Sequence, residues 1–490
     1  MTEENLGRMA APPAGVTVRM YRMNGLGDCF LLAFPSKDNT PFYLMIDCGV
    51  FLGTKDGADR MRKIAGDIQE ATGGHINVLV ATHQHWDHLS GFKYAQDIFD
   101  KMQFDQVWLG WTEDPNHPLA KELRDRRNFA LQALHAAVTH LQGMNDPQAG
   151  PISNVLGFFG ELGVAGGLSS TEQMMKYVGG RVSQPRYLRP SDPPFTDPDL
   201  PCARVFTLGP PEDRKLLTMS EPSGKDGEVY ERPEALNVAQ AFCAAALAAA
   251  SQPGFSDAAD LFERSLPFDR TRALPLKGAS DNPEYGAFFH HLYGFSDDKK
   301  DGPTWRRIDT DWVSAASADL ALALDSDTNN TSLVLAIELL PSGKVLLFPG
   351  DAQVGNWLSW GMLEWPPEGN QNASFKCADL LKRTVFYKVG HHGSHNATLR
   401  AQGLELMTSP DLVAMIPVNE EQAKKKEWAM PFAPLLQRLE EKTRGRILRM
   451  DQDEAEKPER TPQDLWNQFV AGCASDPGPD HLWMEYTISG

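Results

Sequence analysis

The hydrophobic pattern of this chain opens on an alternating stretch, VTVRMYRMN (16–24). A glycine turn, GLGD (25–28), and a second apolar run, CFLLAF (29–34), follow it. Two strand-like runs on either side of a glycine turn predict a β-hairpin. FYLMIDCG (42–49) reads as a further strand closed by glycine. GADRMRKIAGDIQEATGG (57–74) has apolar residues at helical spacing and a glycine stop. INVLVAT (76–82) predicts a buried strand, LSGFKYAQDIF (89–99) a helix, and FDQVWLGW (104–111) another strand. Strands alternating with helices in this way predict an α/β fold.

From about residue 112 the texture changes. PLAKELRDRRNFALQALHAAVTHLQG (118–143) predicts a long helix, and residues 144–200 are rich in Gly, Pro and Ser. NVLGFFGELG (154–163) and TEQMMKYVGG (171–180) read as short helical pieces, and ARVFTLGPPED (203–213) as a strand and turn. Further helices are expected at the Ala-rich EALNVAQAFCAAALAAAS (234–251), at YGAFFHHLYGF (285–295) and at TDWVSAASADLALAL (310–324). Strands return at TSLVLAIELL (331–340), KVLLFPGD (344–351), TVFYKVGHHGSHNA (384–397) and DLVAMIPV (411–418). A helix, PFAPLLQRLEEKT (431–443), and the strands GRILRM (445–450) and LWMEYTIS (482–489) close the chain.

Composition narrows the possibilities. The net charge of −18 removes a long-range pull on nucleic acid and leaves room only for a local basic groove. No apolar run approaches the length of a membrane span. The acidic start MTEENLGRMAAPPAG lacks the apolar segment of a secretory signal, so a cytoplasmic location is expected. The 6 cysteines are scattered and predict reduced thiols.

The chemistry concentrates in LVATHQHWDHLSGF (79–92). His83, His85, Asp87 and His88 fall within six positions at the end of an apolar run, in a chain with 13 histidines. Imidazole and carboxylate suit zinc, manganese or iron. Four such groups on so short a segment predict two ions sharing one loop. Asp351 ends the strand in LLFPGDA, where a carboxylate could bridge two ions, and His391 and His392 end the strand in YKVGHHGS. All three groups sit at strand C-termini, where α/β sheets build sites.

These segments, with NGLGDCFLLAF, LMIDCG and NNTSLVLAI, resemble the metallo-β-lactamase fold superfamily, a four-layer αββα sandwich. The subgroup most similar contains the hydrolase domain of the competence DNA-uptake channel. The resemblance implies that His83 and His85 hold a first divalent ion, zinc or manganese. It implies that Asp87 and His88 hold a second and that Asp351 bridges them. His391 or His392 completes the second site. His391 is preferred because it directly follows the strand and its glycine, leaving His392 for a hydrogen bond or the substrate. Asp47 would orient the histidine loop, Asp28 is read as a turn residue, and Asp87 or Asp351 would orient the attacking water. Many superfamily hydrolases carry a further histidine just before the strand TSLVLAI. Here that segment reads DTNNTS (327–332), with Asn330 and Ser332 as candidate supporting residues. The first ion is therefore expected to be labile.

The implied reaction is hydrolysis by a metal-bound hydroxide. A phosphodiester is preferred, in a nucleic acid or a small molecule, with a lactone, thioester or β-lactam as alternatives. A third reading is a non-enzymatic interaction protein on the same fold. Basic segments RDRR (124–127), KKK (424–426) and RGRILR (444–449) lend modest support to a phosphate substrate. The motif spacing predicts a core in two halves, 17–112 and 326–490. A mostly helical insertion, 113–325, would separate them as a lid, a substrate wall, or a surface for an oligomer or protein partner. Within it, His290 and His291 are expected to pack or line the substrate. Neighbouring positions on a helix point about 100° apart and cannot readily share one ion.

Overall fold

The computed structural model describes residues 8–36, 40–143, 147–160, 169–219, 281–293, 311–366 and 374–490. It is a mixed α/β structure with two large sheets. The Ala-rich helix expected at 234–251 lies outside the described residues.

The chain divides into two compact units. The first comprises Met1–Arg124, Gly157–Glu231 and Asp325–Gly490; the second comprises Asp125–Leu156 and Arg232–Leu324. The span 113–325 is thus shared, and ARVFTL (203–208) belongs to the sheet-bearing unit. The described secondary structure of the second unit is helical and includes Ala149–Leu156 and Gly286–Tyr293. His290 and His291 are exposed on the latter helix.

In the first unit, one eight-stranded sheet runs, in spatial order, Cys473–Ser475, Trp483–Ser489, Gly15–Tyr21, Phe30–Phe34, Phe42–Ile46, His75–Ala81, Gln103–Gly110 and Arg186–Leu188. The hairpin half is antiparallel, and from Phe42–Ile46 onward the neighbours are parallel. The second sheet runs Ile447–Arg449, Val413–Ile416, Thr384–Lys388, Val345–Phe348, Val334–Leu339 and Ala203–Gly209. Its first four strands are parallel and its last two pairings antiparallel. One apolar core serves both sheets. Phe30, Leu32 and Ile46 of the first sheet lie in the same cluster as Leu346, Phe348 and Met415 of the second. The Phe30 and Phe348 rings meet edge to face at 5.8 Å. Met61, Ile64 and Ile68 from the helix Gly57–Thr72 join that cluster. This explains the helical spacing seen there in the sequence.

Parallel pairing fixes where the chemistry lies. Phe42–Ile46 and His75–Ala81 run in one direction, so Asp47 and Thr82 emerge at the same end. Val345–Phe348 and Thr384–Lys388 likewise deliver Asp351 and the His391–His392 pair at one end. Two helices differ from the sequence pattern. The helix expected from Leu89 begins at Trp86, so Asp87 and His88 occupy its first turn. The helix expected to end near Leu324 runs on to Asn330, although its last turn, DSDTNN, carries no apolar periodicity. Ser326, Thr328, Asn329 and Asn330 are nonetheless buried. Among the described residues, no helix is long and apolar enough to cross a membrane.

Candidate metal centre

The histidine loop is clamped by backbone before any side chain acts. Asp28 N donates to Asp87 O at 2.9 Å, Cys48 N to His88 O at 2.8 Å, and Asp47 N to Val80 O at 2.9 Å. The chains come so close that a Cβ on Gly49 would lie 2.4 Å from the Asp87 carbonyl carbon. That approach accounts for the glycine of IDCG. Asp47, His391 and His392 all adopt left-handed backbone, at φ 56°, 44° and 53°. Such conformations are costly for non-glycine residues and concentrate at functional sites.

His83, His85, Asp87, His88, Asp351 and His392 are fully buried, and His391 nearly so. Three trios bring one ligand atom each within 4.8 Å of one another: His83, His88 and Asp351; Asp87, Asp351 and His392; and, on the outer side of His88, Asp28, Asp47 and His88. Asp351 belongs to the first two, as a bridging carboxylate would. His88 Nε2 lies 3.1 Å from Asp351 Oδ2, yet neither atom has a hydrogen bond of acceptable geometry. His85 belongs to none of the three. Its ring lies against His83, with centroids 4.7 Å apart, and its Nε2 is 3.8 Å from Asp325 Oδ1.

The surrounding polar groups point each ligand inward. Asp47 Oδ2 sits 2.7 Å from His88 Nδ1, and both Asp47 oxygens accept from Thr82, at 2.8 and 2.7 Å. A proton on His88 Nδ1 leaves Nε2 as the free donor atom. Pro417 O plays the same part for His392, 2.6 Å from its Nδ1. Lys388 Nζ donates to Asp351 Oδ1 at 3.1 Å and to Gly350 O at 2.7 Å, and also pairs with Asp28. The Asp351 backbone N–H donates to Ser332 Oγ at 3.1 Å.

His391 and His392 take different positions. The trio uses His392. A donor chain runs to His391 instead: Ser394 Oγ to Asn396 Oδ1 at 2.9 Å, Asn396 Nδ2 to Gln353 Oε1 at 3.0 Å, and Gln353 Nε2 to His391 Nδ1 at 3.2 Å. In that arrangement His391 Nδ1 accepts and Nε2 carries the proton. Nε2 is buried without a partner in the protein.

Burial and charge set the protonation states. Burial pushes His85 down to about 3 and His391 down to about 4, and holds His83 well below the usual imidazole range. These rings are neutral at neutral pH and need shed no proton to bind a cation. His88 behaves oppositely. Burial opposes its charge, but Asp351 and Asp47 raise it well above the usual value. Burial, followed by repulsion from Asp87 and Asp351, pushes Asp325 up to about 8.

Several contributors have only weak sequence signals. Asp28 is more than a turn residue: its carboxylate is buried against Lys388 and 3.9 Å from His88 Nδ1. Lys388 could have been noticed as a lysine inside the otherwise apolar run TVFYKV. Asn330 faces elsewhere, donating to Met219 O at 2.7 Å and accepting from Asn356 N at 3.1 Å. The three basic segments have partners within the chain. Lys424 and Lys425 pair with Glu420 and Glu421, Arg449 with Asp451 and Glu420, and Arg124 with the Thr112 and Asp114 carbonyls.

The residues suit a divalent cation on the structure's own terms. Ten buried atoms here lack a hydrogen-bond partner: one each from Asp28, His83, Asp87, His88, Asp325, Asn329, Asp351 and His391, and both ring nitrogens of His85. An unmet buried polar atom costs about 1–3 kcal/mol, and the net stability of a domain is only about 5–15 kcal/mol. A bound cation would meet the inward-facing atoms of His83, His88, Asp87 and Asp351 together and offset the carboxylates. No family model, curated protein or solved structure matches this chain.

Proposed function

We propose that this chain is a metal-dependent hydrolase on a metallo-β-lactamase-type αββα sandwich, and that it cleaves a phosphodiester. The observation that carries the reading is the set of buried, unpartnered imidazole and carboxylate atoms at the C-terminal ends of parallel strands, two trios sharing Asp351. His83, His88, Asp351, Asp87 and His392 would hold the metal, with His85 beside them. When bound there, divalent ions would make water acidic enough to supply hydroxide near neutral pH and would offset charge developing on the phosphoryl group.

The protein's own groups do the rest. Asp47 and Pro417 O fix which nitrogen of His88 and His392 faces inward. Lys388 occupies one oxygen of Asp351 and leaves Oδ2 for the centre. His391 Nε2–H is placed to donate to a substrate or leaving-group oxygen. Phe158 and Phe159 lie against the His85 ring, with centroids at 5.5 and 4.8 Å, and Phe158 stacks on Trp428 at 5.1 Å. This aromatic cover, with the basic segments paired internally, favours a small or single-stranded phosphodiester over a duplex lying in a basic groove.

The test is turnover of bis(p-nitrophenyl) phosphate with Mn²⁺ or Zn²⁺, run beside lactone, thioester and β-lactam substrates. Phosphodiester turnover that falls about a thousandfold or more, a barrier increase of about 4 kcal/mol, in His83→Ala and Asp87→Ala is the expected result. Turnover of a carbonyl substrate alone would transfer the reading to that class. Equal rates in the variants and the parent would refute it.

A further inference from the structure

We infer that Asp325 is a ligand of the metal centre, paired with His85, and supplies the group for which the sequence offers no third imidazole. The inference rests on the metal-centre reading above and deepens it.

Asp325 sits near the end of the helix Asp311–Asn330, one turn before Asn329. Asn329 Nδ2 donates to Asp325 Oδ2 at 3.2 Å, which fixes the carboxylate plane. The other oxygen, Oδ1, is buried and has no hydrogen bond of acceptable geometry among the described residues, although the Gln353 amide lies beside the carboxylate and eases its charge. It lies 3.8 Å from His85 Nε2. That separation is too long for a hydrogen bond. It is close to what one ion imposes, because metal–ligand bonds of about 2.0–2.2 Å place adjacent ligand atoms about 3–3.5 Å apart.

His85 supplies the independent observation. It is fully buried, and neither ring nitrogen has a partner. Its neighbours on one side, Phe158 and Phe159, offer no hydrogen-bonding group. A buried imidazole in that state is costly unless something binds it. The nearby acid is Asp325, not the Asn330 or Ser332 of the segment expected to stand in for the missing histidine. Asn330 is engaged by Met219 O and Asn356 N, and Ser332 Oγ by the Asp351 backbone.

Charge supports the same assignment. Asp87 and Asp351 both repel a charge on Asp325. Carboxylates crowded in a buried site need a cation to offset them. A carboxylate in place of an imidazole makes the site harder and more anionic, so it should hold Mn²⁺ better than an all-histidine site would. The first ion would then be retained rather than labile.

The experiment is metal binding by the full chain after stripping and dialysis. Metal content is counted by elemental analysis, affinity is measured by calorimetric titration with Mn²⁺ and Zn²⁺, and folding is checked by circular dichroism. Asp325→Asn should weaken one class of site by about tenfold or more and change the visible spectrum of the Co²⁺-loaded protein. Asp325→His should retain metal and shift preference from Mn²⁺ toward Zn²⁺. If Asp325→Asn does not fold, the comparison of the parent with Asp325→His decides. Folded Asp325→Asn with parental stoichiometry and affinity, or Asp325→His with unchanged Mn²⁺/Zn²⁺ preference, would overturn the assignment while leaving the metal centre standing. A parent chain that binds neither ion would overturn the metal-centre reading and this inference with it.

Discussion

Two buried clusters of charge in the sheet-bearing unit are built in opposite ways. At the pairing of Gly15–Tyr21 with Trp483–Ser489, Arg19 is closed on every side. Its Nε donates to Glu485 Oε1 at 2.8 Å and its Nη1 to Asp67 Oδ1 at 2.7 Å. Tyr21 donates to the same Asp67 oxygen at 2.7 Å, and the guanidinium lies 3.9 Å over the Trp483 ring. Glu338 is enclosed similarly by Arg204 and Arg383. No atom of either cluster is left buried without a partner. The histidine centre has comparable burial and more charge, yet ten of its atoms are unmet. A structural ion network satisfies itself, because an unpaired buried charge destabilises the fold. A binding site leaves its donor atoms for something that arrives later. Burial is common to both; completeness distinguishes them.

The largest expected effect would break the closed cluster. Arg19→Ala leaves Asp67 and Glu485 facing each other without their cation. It should lower stability by about 3 kcal/mol while leaving metal content unchanged. Denaturant unfolding with elemental analysis checks this. Loss of metal in a folded Arg19→Ala protein would erase the contrast between the clusters.

A smaller effect sharpens the open cluster. Asp47→Asn removes the acceptor that orients His88 and should reduce metal affinity about 10- to 100-fold. Titration of the stripped protein reads this directly. Unchanged affinity would mean that the His88–Asp47 contact is structural, like the Arg19 network.

The smallest effect concerns pH in metal-free protein. Asp325, raised to about 8 from an ordinary carboxyl value, binds a proton in the folded chain that the unfolded chain has already lost. Its contribution is complete below the unfolded value and is lost as pH rises towards about 8. His83, His85 and His391 are lowered and act in the opposite sense, adding stability as pH rises to about 6.5 and nothing beyond. Between pH 6.5 and 8 the chelated protein should therefore lose stability, with His88 and His392, both raised, acting in the same sense as Asp325, and Asp325→Asn should remove up to about 2 kcal/mol of that decline. Melting temperatures across this interval decide. A slope undiminished in a folded Asp325→Asn protein would assign the decline to His88 and His392 alone.

Much of this site was legible in the chain before any contact was known. The continuous apolar runs ending in IDCG, VAT, FPGD and KVG predicted strands. The residues just beyond them, Asp47, His83, Asp351 and His391–His392, all fall at the centre. This works because a buried strand's continuous apolar run and its terminating polar residue are local properties, and parallel pairing then places those ends together. Whether His391 or His392 faces the ligands was not local. Adjacent left-handed residues send their rings to different partners, one to Gln353 and the other to Pro417 O and Asp87. Asp28 and Lys388 were equally out of reach, since their buried pairing joins a turn near the N-terminus to a strand in the other sheet. Asp325 shows the limit most clearly. Its last helical turn is polar throughout, so no hydrophobic period marks its inner face. By itself the sequence determined the strands, the polar residues at their ends and the imidazole-and-carboxylate character of the cluster. Only the tertiary structure decided which side chains close it, because burial, orientation and the absence of a partner are properties of atoms brought together from distant parts of the chain.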